Sequence, residues 1–282
     1  MSRVLVIGNA EVSLAIGNAL EKPAFPVEFA AGDADALLRM RKQPFAVVIT
    51  SPDSAIAEDL ALLDEMRLIH PGIKCIVLAA QSSTEEVIAA LRARVFACFT
   101  PPFEPAEIAC LAQEAASDDE PGNDFRVVSA RPGWVTVRVT PRLINADRLM
   151  TFARKLAENL PSEALQDMMQ AFREILLNAM EHGAAFDPGQ VVDVTAVHTA
   201  RSHVFYVRDP GPGFRHDSLL HAAIANPAED PAAHTRLRDE KGMRPGGYGL
   251  LLAQGTVDEL IYNETGNEVL LIKYIQPAQH PD

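Results

Sequence analysis

Three segments in the second half of this chain, in a fixed order, constrain its fold more than anything else in the sequence. Phe172-Arg173-Glu174-Ile175-Leu176-Leu177-Asn178-Ala179-Met180-Glu181-His182-Gly183 comes first, Asp209-Pro210-Gly211-Pro212-Gly213 second, and Gly246-Gly247-Tyr248-Gly249 third. In the first segment Phe172, Ile175, Leu176, Ala179 and Met180 recur at spacings of three and four, which predicts an amphipathic helix. Glu174 and Asn178 are i and i+4 neighbours and share one face of that helix. The carboxylate of such a pair can take a proton from an attacking hydroxyl, and the amide oxygen can ligate Mg²⁺, so the pair suits phosphoryl transfer. On its own it would be an ordinary solvated helix face. The weight therefore rests on the company it keeps.

Val204-Phe205-Tyr206-Val207 is β-branched and aromatic, and predicts a strand that ends at Asp209. Gly211 and Gly213 follow in a turn, removing Cβ atoms where a ligand must approach, and an aspartate there can accept from an adenine amino group. A plain Pro-Gly turn is the alternative. The third segment runs directly into Leu250-Leu251-Leu252-Ala253, so its N–H groups would open a helix and favour a phosphate.

In order and spacing these segments resemble the N, G1 and G2 boxes of the GHKL (Bergerat-fold) ATPases, over residues 134 to 276. The compact E-I-L-L-N-A-M-E-H-G form most resembles the serine kinases that act as anti-sigma factors or partner-switching regulators. The resemblance implies ATP and Mg²⁺ as cofactors. Glu174 would be the general base, Asn178 the Mg²⁺ ligand, Asp209 the adenine-recognising carboxylate, and His182 a neighbour facing the same site. Gly211 and Gly213 would shape the adenine pocket, with Gly246, Gly247 and Gly249 under the phosphates. Pro245 departs from the family pattern, occupying the place that often holds the first glycine of the third box. The segment 214 to 245 carries Arg236, Arg238, Lys241 and Arg244, and reads either as a lid with cations for phosphate, Arg244 among them, or as a solvated loop.

The first half alternates short apolar runs with helix-length segments. Val4–Ile7, Ala46–Ile49, Cys75–Ala79 and Val95–Phe99 predict strands, and Val27–Phe29 a weaker one, giving a five-stranded parallel sheet with flavodoxin-like (βα)5 architecture. Ser83-Thr84-Glu85-Glu86 opens one helix, and His70-Pro71 closes another. Residues 1 to 115 resemble the receiver domain of response regulators, most clearly at Phe99-Thr100-Pro101-Pro102-Phe103-Glu104-Pro105. That family's reactive places hold Gly8 and Asn9, Thr50, Ala79 and Pro101 instead, which implies a phosphorylation-incompetent pseudo-receiver serving docking or dimerisation. Asp53 reads as a helix-start residue rather than a displaced acceptor. Ala10 and Ser13 replace the later glycines of a dinucleotide fingerprint, so that alternative fails.

The 282 residues suit two domains: a pseudo-receiver at 1–115, an acidic linker at 116–126, and a Bergerat-fold α/β sandwich at 127–282. In the second domain Trp134–Val139 predicts a strand, Ala146 to Leu160 a helix, and Glu268–Tyr274 a strand closing the sheet. A net charge of −13 argues against nonspecific binding to nucleic acid or an anionic membrane. Cys75, Cys98 and Cys110 show no metal spacing and read as reduced core residues of a cytoplasmic protein without a signal peptide or membrane span.

The expected function is an ATP- and Mg²⁺-dependent serine/threonine kinase acting on a regulatory protein: a sigma factor, an anti-sigma antagonist or a phosphatase. A nucleotide-dependent sequestering module without phosphoryl transfer is the alternative, and an ATP hydrolase a third. Family resemblance alone suggests a homodimer. No helical hairpin with a phosphoacceptor histidine fits between residues 116 and 145, which argues against a histidine autokinase.

Overall fold

A computed structural model describes residues 3–8, 11–20, 25–118, 125–213, 230, 236, 240 and 248–275. The chain divides into two compact units, Met1–Pro132 with Asp147–Lys155, and Gly133–Ala146 with Leu156–Asp282.

The first unit alternates β1 (Val4–Ile7), α1 (Glu11–Leu20), β2 (Val27–Ala30), α2 (Asp33–Lys42), β3 (Val47–Ile49), α3 (Ile56–Ile69), β4 (Lys74–Leu78), α4 (Thr84–Arg92), β5 (Ala97–Phe99) and α5 (Pro105–Ser117). All strand pairs are parallel, in the order β2-β1-β3-β4-β5. That is the flavodoxin-like order expected from the alternation. The strands are apolar runs rather than alternating ones because helices cover both faces, and β1, β3, β4 and β5 are buried throughout. Ser83 and Glu86 form the expected capping box of α4: the Glu86 N–H donates to Ser83 Oγ at 3.2 Å, and the Ser83 N–H to Glu86 Oε2 at 2.7 Å.

Thr50, the residue that the receiver resemblance sets at the phosphoacceptor place, is buried. Its hydroxyl donates to Asp59 Oδ2 at 3.0 Å and accepts from the Leu78 N–H at 3.2 Å. Ser54 Oγ donates to Asp59 Oδ1 at 2.7 Å. Burial pushes the Asp59 carboxyl up to about 6, against the pull of the Ser54 and Thr50 hydroxyls. Asn9 lies outside the described residues.

Asp53 does not start α3. It is exposed in the preceding turn, where its N–H donates to Ser51 Oγ at 3.2 Å, and the helix begins at Ile56 with Glu58 Oε2 accepting from the Ala55 N–H at 3.3 Å. Cys75 and Cys98 are buried in β4 and β5, but Cys110 is exposed on α5, correcting the expectation of three core cysteines.

Arg148 is the largest fully buried side chain among the described residues. It lies on α6 (Leu143–Leu156), a helix that starts and ends earlier than the periodicity suggested. Its Nε donates to the Phe96 carbonyl at 3.0 Å, and its guanidinium sits 4.2 Å from the Phe96 ring centroid and 4.3 Å from that of Phe125. The rings replace part of the lost hydration. Arg148→Ala would remove both ring contacts, orphan a buried carbonyl and open a cavity, so urea denaturation should show a loss of about 3 kcal/mol. A loss under about 1 kcal/mol would mean that the sandwich contributes little.

The second sheet is formed by β6 (Phe125–Arg131), β7 (Trp134–Val139), β8 (Val192–His198), β9 (Ser202–Arg208), β10 (Glu259–Tyr262) and β11 (Glu268–Tyr274), in the order β10-β11-β9-β8-β7-β6. β7, β8, β9, β11 and β10 pair antiparallel in succession. β11, expected to close the sheet, lies inside it, and β10 takes the edge. β9 alternates, turning His203, Phe205 and Val207 inward. α7 (Ser162–Asn178) lies on this face, with Phe172 stacked on Phe205 at 4.2 Å and 16°.

His198 and His203 are opposite each other on β8 and β9, their rings stacked at 4.3 Å. His198 Nδ1 and His203 Nε2 are buried and have no hydrogen-bond partner among the described residues. Burial first, and then His198 nearby, lower His203 to about 4. A histidine whose folded pKa is depressed contributes stability that is full above the unfolded value near 6.5 and is lost as pH falls toward 4. Between pH 7 and 5 denaturation should show a loss of about 1–2 kcal/mol, the lower figure allowing for solvent screening. His203→Phe should flatten that slope; an unchanged slope would assign it to other groups.

Candidate functional site

The first predicted segment is helical, but not in one geometry. α7 ends at Asn178 and continues as a π-helical turn over Ala179–Gly183. A π turn widens the helix by one residue and commonly marks functional positions. Glu174 and Asn178 lie on the regular part, both half-buried, while His182 falls in the π turn and is exposed. The turn carries the chain end toward the second segment. A Cβ at Gly183 would overlap the Asp209 carboxyl, so only glycine lets this backbone lie against that side chain.

Asp209 stands just past the end of β9, half-buried, and its N–H donates to the Asn267 carbonyl at 3.0 Å. Its Oδ1 accepts from the Gly211 N–H at 2.8 Å. Burial raises its pKa, while that hydrogen bond pulls the other way. Gly213 combines φ of 74° with a Cβ position that would overlap the Thr265 carbonyl, so this turn packs directly on the loop between β10 and β11. Asn267 ties the two together, its Nδ2 lying 3.4 Å from the Asp209 and Gly211 carbonyls. Tyr262 lies near enough for the Asp209 charge to help raise its phenol pKa, after burial.

The third segment is described from Tyr248 onward; Gly246, Gly247, Arg244, Arg238 and Lys241 lie outside the described residues. Arg236 pairs with Asp230. Gly249 is the first residue of α8 (Gly249–Thr256), and a Cβ there would overlap Glu174 Oε2. The Glu174 carboxylate therefore faces the N-terminal turn of α8, the end whose N–H groups favour anions. Leu250 and Ala253 bury one side of α8, and Lys273 Nζ donates to the Thr256 carbonyl at 2.8 Å, holding its other end.

The structure thus sets Gly183 and Gly211 against Asp209, and Glu174 against Gly249, at two places along the same helix and its π turn. Gly183, Asn267 and Tyr262 belong to this assembly and were not singled out as site residues. Gly183 could have been flagged as the glycine ending the first segment, whereas Asn267 and Tyr262 carry no local signal. Asp209 has one carboxylate oxygen bonded to backbone, Gly183, Gly211 and Gly213 let neighbouring segments pack closely around it, and Glu174 faces a helix N-terminus, the end that favours anions.

The antiparallel strands with α7 and α8 form an α/β sandwich. Residues 139–273 match the family described as histidine kinase-like ATPase domain, and the chain carries such a domain there. That domain implies ATP binding, typically with Mg²⁺.

The chain is also similar to solved receiver structures. A CheY-like response regulator receiver domain protein from Methanospirillum hungatei JF-1 is 22% identical, with 42% of this chain and 94% of that chain covered at a TM-score of 0.37. A response regulator from Thermotoga maritima is 24% identical, with 42% and 99% covered at 0.38, and chemotaxis protein CheY4 from Vibrio cholerae 19%, with 41% and 98% covered at 0.36. The flavodoxin-like fold of the first unit is given by its own sheet order. No curated protein matches the chain. Among the described residues no helix is long and apolar enough to cross a membrane.

Proposed function

We propose that this protein is an ATP- and Mg²⁺-dependent serine/threonine kinase that phosphorylates a regulatory protein and so changes what that protein binds. The observation that carries the reading is the Glu174 carboxylate lying against Gly249 at the start of α8. A base next to a phosphate-favouring helix end is placed to take the proton of an acceptor hydroxyl as its oxygen bonds the γ-phosphorus and ADP leaves. Asp209 would orient the adenine, and Asn178, one turn from Glu174, would hold Mg²⁺. Phe125–Arg131 and Trp134–Val139 are strands, so they supply no helical hairpin for a phosphoacceptor histidine.

The test is transfer of labelled γ-phosphate from Mg-ATP into a lysate of the source cell lacking this protein, with the purified chain added back. An acid-stable labelled protein band is expected. An acid-labile label would mean a histidine or aspartate acceptor. Free phosphate alone would mean an ATP hydrolase, and ATP binding with neither product would favour the sequestering module.

A further inference from the structure

The first unit contains a groove of about 580 Å³ lined by β6 from Phe125 to Arg131 and by Arg92 and Arg94 at the end of α4. Four of its lining side chains are arginines, Arg92, Arg94, Arg126 and Arg131, and none is acidic. In a chain with net charge −13 this is a local concentration against the overall composition. No carboxylate pairs with Arg92, Arg126 or Arg131 among the described residues, and all three are exposed. Arg94 adopts φ of 56° just past α4, a position where glycine is the usual residue.

β6 ends the sheet order, with β7 beside it and no strand on its other side among the described residues. Its seven residues form an edge of about 23 Å against which α4 packs near one end, and along which the N–H and C=O groups have no further strand partner among the described residues. Arg92 donates to the Ala130 carbonyl at one end of that edge. Val128 is 54% exposed in the middle of it, an apolar contact for an incoming side chain.

We propose that this groove binds an extended acidic segment of a partner protein, which adds as a strand to β6 while its carboxylates meet the arginines. Main-chain hydrogen bonds would supply affinity and the guanidinium forks selectivity. The same charges exclude a second copy of this chain, because edge-to-edge pairing would set arginines against arginines. The inference does not rest on the phosphoryl-transfer reading, since its test uses no nucleotide.

Fluorescence anisotropy of a labelled peptide of alternating Glu and Val, titrated with the full chain at low salt, tests it. Saturable binding is expected, weakened at least about tenfold in the Arg126→Gln/Arg131→Gln double variant. N-methylation of alternate peptide nitrogens, which keeps the charge but removes strand donors, should weaken binding as much without altering the protein. No binding, or binding indifferent to the arginines, overturns the proposal. So does equal binding of the N-methylated peptide or displacement by millimolar inorganic phosphate, since either shows a charge-only anion site. Binding that emerges only when Asp119 and Glu120 are neutralised would place this chain's own acidic stretch in the groove. Sedimentation showing a dimer that excludes the peptide would make the face a self-interface. Both results overturn the proposal.

Discussion

Glu174→Gln is expected to lower phosphoryl transfer by about 10²- to 10⁴-fold, the range for losing a positioned general base, while ATP affinity stays within about threefold. Glutamine keeps the shape of the side chain, so the contact with Gly249 at the start of α8 survives and only the basicity goes. Single-turnover transfer and an equilibrium titration with a fluorescent ATP analogue separate the two effects. A parallel loss of binding and transfer would show that Glu174 supports the nucleotide cleft rather than the chemistry. Transfer within a few fold of wild type would remove Glu174 as the base.

Gly183→Ala should have the largest effect on nucleotide binding. The added methyl has no room, because its place coincides with the Asp209 carboxyl. Either the π turn or Asp209 must shift, and each shift misaligns the group assigned to the adenine amino group. ATP affinity should fall at least about thirtyfold, or about 2 kcal/mol. Gly255→Ala is the control: it lies in α8 with open space around its would-be Cβ, and should leave binding unchanged and stability equal or higher by about 0.5–1 kcal/mol. Unaltered ATP affinity in Gly183→Ala would mean that the nucleotide does not use Asp209.

Local chemistry made a good deal of this legible from the residues alone. β1, β3, β4 and β5 are apolar runs that a parallel sheet buries on both faces, and Ser83 with Glu86 caps its own helix within one turn. The helix under Glu174 and Asn178 follows from spacings of three and four. The end of β9 just before Asp209 follows from the composition of the run and the Pro-Gly pair after it. Where local rules mislead, a nearer partner wins: the Ser-Pro-Asp-Ser pattern predicts a helix start at Asp53, but Ser51 Oγ accepts the Asp53 N–H and holds it in the turn. Cys110 sits in an apolar stretch yet on the outer side of α5, a distinction that depends on which face the sheet takes.

By itself the sequence determined most of the parallel strands, the helix under Glu174 and the candidate residues for chemistry, because period, capping and turn preference act over a few neighbouring residues. The tertiary structure alone decided that α7 widens into a π turn, that Gly183 meets Asp209 and Gly249 meets Glu174, that β11 pairs inside the sheet, and that Arg148 is sandwiched between two rings. These are close approaches between residues tens of positions apart. Dense packing and the pairing of buried polar groups select them, and neither leaves a mark within a short window of sequence.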